Sequence, residues 1–188
     1  MIEIKSEREI SLIEAAGRIV RIVLEETRKI ARPGITTGEL DKKAEEIIRD
    51  FNARPAFKGY RGFPGNICTS INEQVVHGIP GKKRLEAGDI LGIDVGVEKD
   101  GFYGDAAITI GIGDSVSENA RDLIAATQKA LAIGIDKAVE GNRLFDISHA
   151  IQECVELSGY SVVRDFVGHG IGSSMHEEPE IPNFGKAS

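Results

Sequence analysis

Apolar residues recur along the chain with two different periods, and the changes of period mark its elements. From Ile10 the spacing is helical. Ile10, Ile13, Ala16, Val20, Val23, Leu24 and Ile30 share a face, behind a Ser6-Glu7-Arg8-Glu9 capping box and ahead of a Pro33-Gly34 stop. Thr36 with Glu39 repeats the cap, and Leu40, Ala44, Ile47, Ile48 and Phe51 stripe a second helix that Pro55 ends. A glycine- and aromatic-rich loop through Phe57, Tyr60 and Phe63 leads to strand patterns from Ile67 and near Val75. After the middle of the chain, Ser115 with Glu118 caps a helix striped by Leu123, Ile124, Thr127, Leu131, Ile135 and Val139. Leu144, Ile147, Ile151, Cys154 and Val155 mark another, and Tyr160 to Val163 reads as a short strand.

In between, from Asp89 to Ile112, the period is two. Ile90, Gly92, Asp94 and Gly96 alternate with Leu91, Ile93, Val95 and Val97, and Asp100-Gly101 supplies the turn of a β-hairpin. A two-residue turn there sets Asp94 opposite Ala107 and Asp105 opposite Gly96, so the two carboxylates are diagonal neighbours on one face. That face also carries Gly92 and Gly96, which leave room for another group to approach. Two readings stand at this point: polar residues on the wet face of a hairpin, or hard oxygen ligands for a divalent cation.

The two sides of the hairpin share an order of long helix, glycine break (Gly34, Gly141), shorter helix, strand material and His-Gly-Ile (His77, His169), which reads as an internal duplication. The expected architecture is one α+β domain over 1–188, with half-domains of about 1–88 and 113–188 joined by the hairpin 89–112. His77, at a strand end, is open to a structural or a catalytic role. Phe57, Tyr60, Phe63 and Cys68 are open to plain loop packing or to forming an apolar patch.

Composition narrows the field. Lys and Arg number 23 against 30 Asp and Glu, a net charge of -7, which argues against nucleic acid as the main ligand. Cys68 and Cys154 are too few for a disulfide framework or a thiolate metal site, and both are expected reduced and partly buried. MIEIKSEREI has neither a basic leader nor an apolar run, so a cytoplasmic protein is expected.

VVHGIP, GIDVG, YGDAA, GHGIG and HEEPEIPN, in this order and at these spacings, closely resemble the type I methionine aminopeptidases, metallopeptidases of the pita-bread fold. The resemblance implies two pseudo-symmetric halves, each with two helices, around a central antiparallel sheet. It implies removal of N-terminal methionine from nascent polypeptides with two divalent metal ions, drawn from cobalt, manganese, iron or zinc. Asp94, Asp105 and His169 match the family's metal ligands. His77 and His176 match its substrate-contacting histidines, and Phe57, Tyr60, Phe63, Cys68 and Met175 fall where it lines the methionine pocket. The partners implied are the N-terminal methionine of nascent peptides and a transient ribosome contact, with no specific nucleic acid, no membrane and a monomeric complete chain.

The family's ligand set also includes two glutamates beyond HEEPEIPN. Glu177, Glu178 and Glu180 are not in the matching positions, so the chain is expected to be C-terminally truncated, to lack the final strands and to turn over little on its own. The alternatives are an Xaa-Pro aminopeptidase or creatinase-like hydrolase of the same fold, and a non-catalytic module that reuses the fold for binding.

Overall fold

The computed structural model describes residues 2–187; Met1 and Ser188, the ends of the expected domain, lie outside the described residues. The chain forms two compact units, one of residues 3–117 with 171–176, the other of residues 118–170 with 177–187 and Ile2. The central hairpin belongs wholly to the first.

Two helices open the first unit, α1 (Glu7–Ile30) and α2 (Thr37–Asp50), and each begins with a complete capping box. The Ser6 and Thr36 amides donate to the Glu9 and Glu39 carboxylates at 2.8 Å, which fixes where each helix starts. Four strands follow, β1 (Arg54–Pro55), β2 (Cys68–Ile71), β3 (Ile90–Lys99) and β4 (Phe102–Gly111). β3 lies inside the sheet: β4 pairs along one edge, while β2 opposite Leu91–Asp94 and β1 opposite Val97–Glu98 share the other. All these pairings are antiparallel. Asp100 and Gly101 both take positive φ, 52° and 83°, as a tight hairpin turn requires. The register has Asp94 opposite Ala107 and Gly96 opposite Asp105, as the alternation predicts.

Period two sends Leu91, Ile93, Val95 and Val97 to one face of β3, where all four are fully buried against Val20, Val23, Leu40 and Ile48. α1 packs over β3 and β4 and lies close at Gly104, where a Cβ would stand 2.7 Å from the Gly17 amide nitrogen. The α1 stripe differs at its edges from the expected one: Ile10 is 54% exposed, whereas Ile19 and Thr27 are buried. Thr27 is buried without loss because its hydroxyl donates to Val23 O at 2.7 Å. Val75 is in no strand; residues 75–79 are irregular, and His77 takes a left-handed φ of 60° that no strand accommodates.

In the second unit α3 (Glu118–Lys137) packs on α4 (Leu144–Leu157). The contact is made through small residues. Ala130 and Gly134 are buried, and a Cβ on Gly134 would stand 2.8 Å from Ile151 Cδ1. The stripe expected of α3 is not its buried face: Leu131 and Ile135 are about as exposed as Val139, which lies past the end of the helix. Tyr160 to Val163 forms no strand. The strands of this unit are β5 (Gly168–Gly170) and β6 (Glu177–Ile181), an antiparallel pair with His169 opposite Glu180 and an irregularity between His169 and Gly170.

Candidate active site

The site is laid out on the face of β3 and β4 opposite the core. Asp94 and Asp105 reach it by the same alternation that buries Val95 and Gly104, and their side chains hydrogen-bond to each other. Burial, then the Asp105 charge, then that hydrogen bond push the Asp94 carboxyl from 3.8 up to about 7, against a smaller opposing pull from the Val95 amide. A carboxylate pair in this state holds a proton at neutral pH for want of positive charge. A divalent cation would supply that charge, so the two oxygen donors fit one.

Cys68 sits across from Asp94 on β2. Its thiol is pushed up to about 12, first by burial and then by the charges of Asp94, Asp105 and Asp41, so it stays neutral and acts as a small apolar group. Phe57, Cys68 and Met175 are buried together, with Ala56, Phe63 and Tyr103 packed around them. The room left at Gly96 is taken by the Phe57 ring, whose Cε1 lies 2.5 Å from where a Cβ would be. Two backbone hydrogen bonds bring the walls in: Ala56 N donates to Gly96 O and Tyr103 N to Gly172 O, both at 2.9 Å. The α2 residue Asp41 holds the start of β2, accepting from the Asn66 and Ile67 amides at 2.7 and 3.0 Å. Nothing in the spacing marks Asp41 or Tyr103, since each looks like an ordinary member of its own element; only the long-range contacts expose their part.

The candidate histidines fall in both units. His77 is exposed on the loop after β2, and Gly78 beside it is clamped to that strand: Thr69 N donates to Gly78 O at 2.8 Å and Gly78 N to Ser70 Oγ at 3.1 Å. His176 follows buried Met175 and stacks on Tyr60, with ring centroids 5.4 Å apart. Tyr60 is 38% exposed and lies outside the buried nest. His169 belongs to the second unit, where its Nδ1 is 2.9 Å from Gly170 O. A carbonyl only accepts, so Nδ1 donates to it. Among the described residues no three or more His, Cys, Asp or Glu side chains form a group able to hold a metal ion. What the first unit contributes is a carboxylate pair bordering an apolar nest.

A family model described as metallopeptidase family M24 matches residues 11–188, and the chain belongs to that family. The relatives it resembles are methionine aminopeptidases. It is 55% identical to the methionine aminopeptidase of Clostridium acetobutylicum over 99% of this chain and 74% of that protein. The crystal structure of methionine aminopeptidase from Thermotoga maritima matches with a TM-score of 0.96 at 44% identity, covering 100% of this chain and 75% of that one. Prolidase from Pyrococcus furiosus matches at 24% identity with a TM-score of 0.84, over 96% of this chain and 52% of that one, a likeness of fold alone. The fold is the pita-bread fold that the motifs imply.

Proposed function

We propose that the chain acts as a methionine aminopeptidase, hydrolysing the first peptide bond of a chain that begins with methionine. The observation that carries the reading is the hydrogen-bonded pair Asp94 and Asp105 bordering the nest of Phe57, Cys68 and Met175, with Cys68 common to both. An unbranched, polarisable thioether suits such a nest. A free α-amino group, which an internal residue of a peptide lacks, suits a site whose carboxylates would hold divalent ions.

Asp94, Asp105 and, by its motif, His169 are the side chains that would hold divalent ions, two of them, drawn from cobalt, manganese, iron or zinc. Such ions, when bound, bring the pKa of water near neutrality and polarise a carbonyl. The chain's own part is then to place the substrate. The nest takes the methionine side chain, and the neutral thiol of Cys68 adds bulk without competing as a nucleophile. A neutral imidazole from His77 or His176 donates a hydrogen bond to the carbonyl oxygen as it gains charge, worth about 3–4 kcal/mol in comparable oxyanion sites.

The partner is the newly made N-terminus of a polypeptide, met in the cytoplasm with transient ribosome contact by a monomer. Among the described residues no helix is long and apolar enough to cross a membrane. The test is release of free methionine from Met-Ala-Ser with Mn(II) or Co(II), beside an Xaa-Pro peptide as control. Slow methionine release, as from a chain without the two further glutamates, that Asp105→Asn abolishes is the expected result. A folded chain that releases none with any of the four metals, or that prefers Xaa-Pro, overturns the reading.

A further inference from the structure

We propose that Tyr60 is a positioning residue for His176: its phenol donates to Nδ1 and so keeps the imidazole proton on Nε2, from which it is donated to the substrate's carbonyl oxygen. The inference rests on the function proposed above and gives Tyr60 a part other than lining a pocket. Tyr60 Oη stands 3.1 Å from His176 Nδ1, and the two rings stack at 24° between planes. A neutral imidazole carries one N–H and one lone pair, so whatever occupies one nitrogen decides what the other can do. A phenol both donates and accepts, and either arrangement satisfies the 3.1 Å contact. Arg61 favours one of them. Its guanidinium carbon is 5.5 Å from the Tyr60 ring centroid, where a cation draws density from the ring and makes the phenol a better donor and a poorer acceptor.

Both partners are held in place by backbone. Tyr60 begins a short 3-10 turn in which Tyr60 N donates to Phe57 O at 3.0 Å and Phe63 N to Tyr60 O at 2.9 Å. His176 is carried by the buried Met175. The turn therefore ties the histidine to the wall of the apolar nest, so that the donor and the methionine slot keep one geometry. A merely structural contact would be indifferent to which nitrogen bears the proton; a positioning contact is not.

The test reads the tautomer directly. In protein with 15N-labelled histidine at pH 8, ring nitrogen shifts separate Nδ1–H from Nε2–H for each of the 4 histidines, with His176 assigned by its disappearance in His176→Asn. The expected result is Nε2–H at His176 in the unmodified chain and a mixture in Tyr60→Phe. With it, kcat on Met-Ala-Ser falls about tenfold while KM changes by less than about twofold. Nδ1–H at His176 in the unmodified chain, or the same tautomer with and without the Tyr60 hydroxyl, overturns the inference, and the spectrum of the unmodified chain decides this even if the variant misfolds. A spectrum as expected with no methionine release refutes the proposed activity and leaves the positioning contact standing.

Discussion

The metal-free chain should be most stable in mild acid, and the reason is the carboxylate pair on the hairpin. Asp94 titrates near 7 when folded and near 3.8 when its surroundings impose nothing, so between those values the folded state holds a proton that the unfolded state has lost. More protons bound in the folded state means that stability falls as pH rises through this window. The full interval corresponds to about 4 kcal/mol at 1.36 kcal/mol per pH unit. Two unit charges about 4 Å apart repel by a similar amount, about 4 kcal/mol at an effective dielectric near 20. Because burial is the first cause of the shift and Asp105 the second, Asp105→Asn should remove only part of the slope. Urea unfolding in EDTA at pH 5, 6, 7 and 8, followed by far-UV circular dichroism because the chain has no tryptophan, gives the comparison. The unmodified chain should lose about 2–4 kcal/mol between pH 5 and 8 and Asp105→Asn clearly less, since groups common to both cancel. Mn(II) should restore stability at pH 8 and do little at pH 5, where the proton occupies its place. A flat profile, or one in which the variant tracks the unmodified chain, would refute the account of the pair.

Gly96→Ala puts a methyl 2.5 Å from the Phe57 ring and should destabilise by about 1–3 kcal/mol and raise KM for methionine peptides, as thermal melts and initial rates would register. Gly104→Ala pushes against the backbone of α1, 2.7 Å from Gly17 N, where no side chain can yield; it should lower the melting temperature at least as much as Gly96→Ala. Ile93→Ala, at a fully buried position, should lose about 2–5 kcal/mol in chemical denaturation, whereas Leu131→Ala, 60% exposed on α3, should stay within about 0.5 kcal/mol. Equal losses at Ile93 and Leu131 would show that the α3 stripe is core after all.

Legibility from sequence followed the number of independent signals at each place. The hairpin register was readable because turn chemistry and alternation agree: Asp100-Gly101 sets the pairing, and any one-residue slip would bury Asp94 and expose Ile93. The caps at Ser6 and Thr36 were readable because both halves of each box are local. α3 was misread because its packing face is made of Ala130 and Gly134, which carry almost no weight in a hydrophobic pattern, while Leu131 and Ile135 carry most of it. Val75 and Tyr160 to Val163 have strand composition without a strand partner, and propensity alone does not make a sheet. β6 carries no strand pattern for the converse reason: it has a strand partner, but three of its five residues are glutamates. For the site, the two aspartates were placed by register alone. The nest needed Met175, far along the chain, and the Tyr60 contact with His176 could not be had from spacing.

β3 also explains how an unfavourable pair can persist in a folded chain. The alternation that sends Asp94 to the site sends Leu91, Ile93, Val95 and Val97 to the core, each fully buried. At about 1.5–3 kcal/mol per side chain these four together contribute about 6–12 kcal/mol, against the few that an uncompensated Asp94 costs at neutral pH. The strand therefore stays in register whichever way the pair is charged, and the repulsion is not relieved by local unfolding. Its cost, met at neutral pH by holding a proton, stays at a fixed place on a rigid surface, where a cation can relieve it. Gly96 and Gly104 extend the same division of labour: bare backbone on the site face admits Phe57, and bare backbone on the core face admits α1. A hairpin of alternating large and absent side chains is thus clamped on one side so that the other can hold charge.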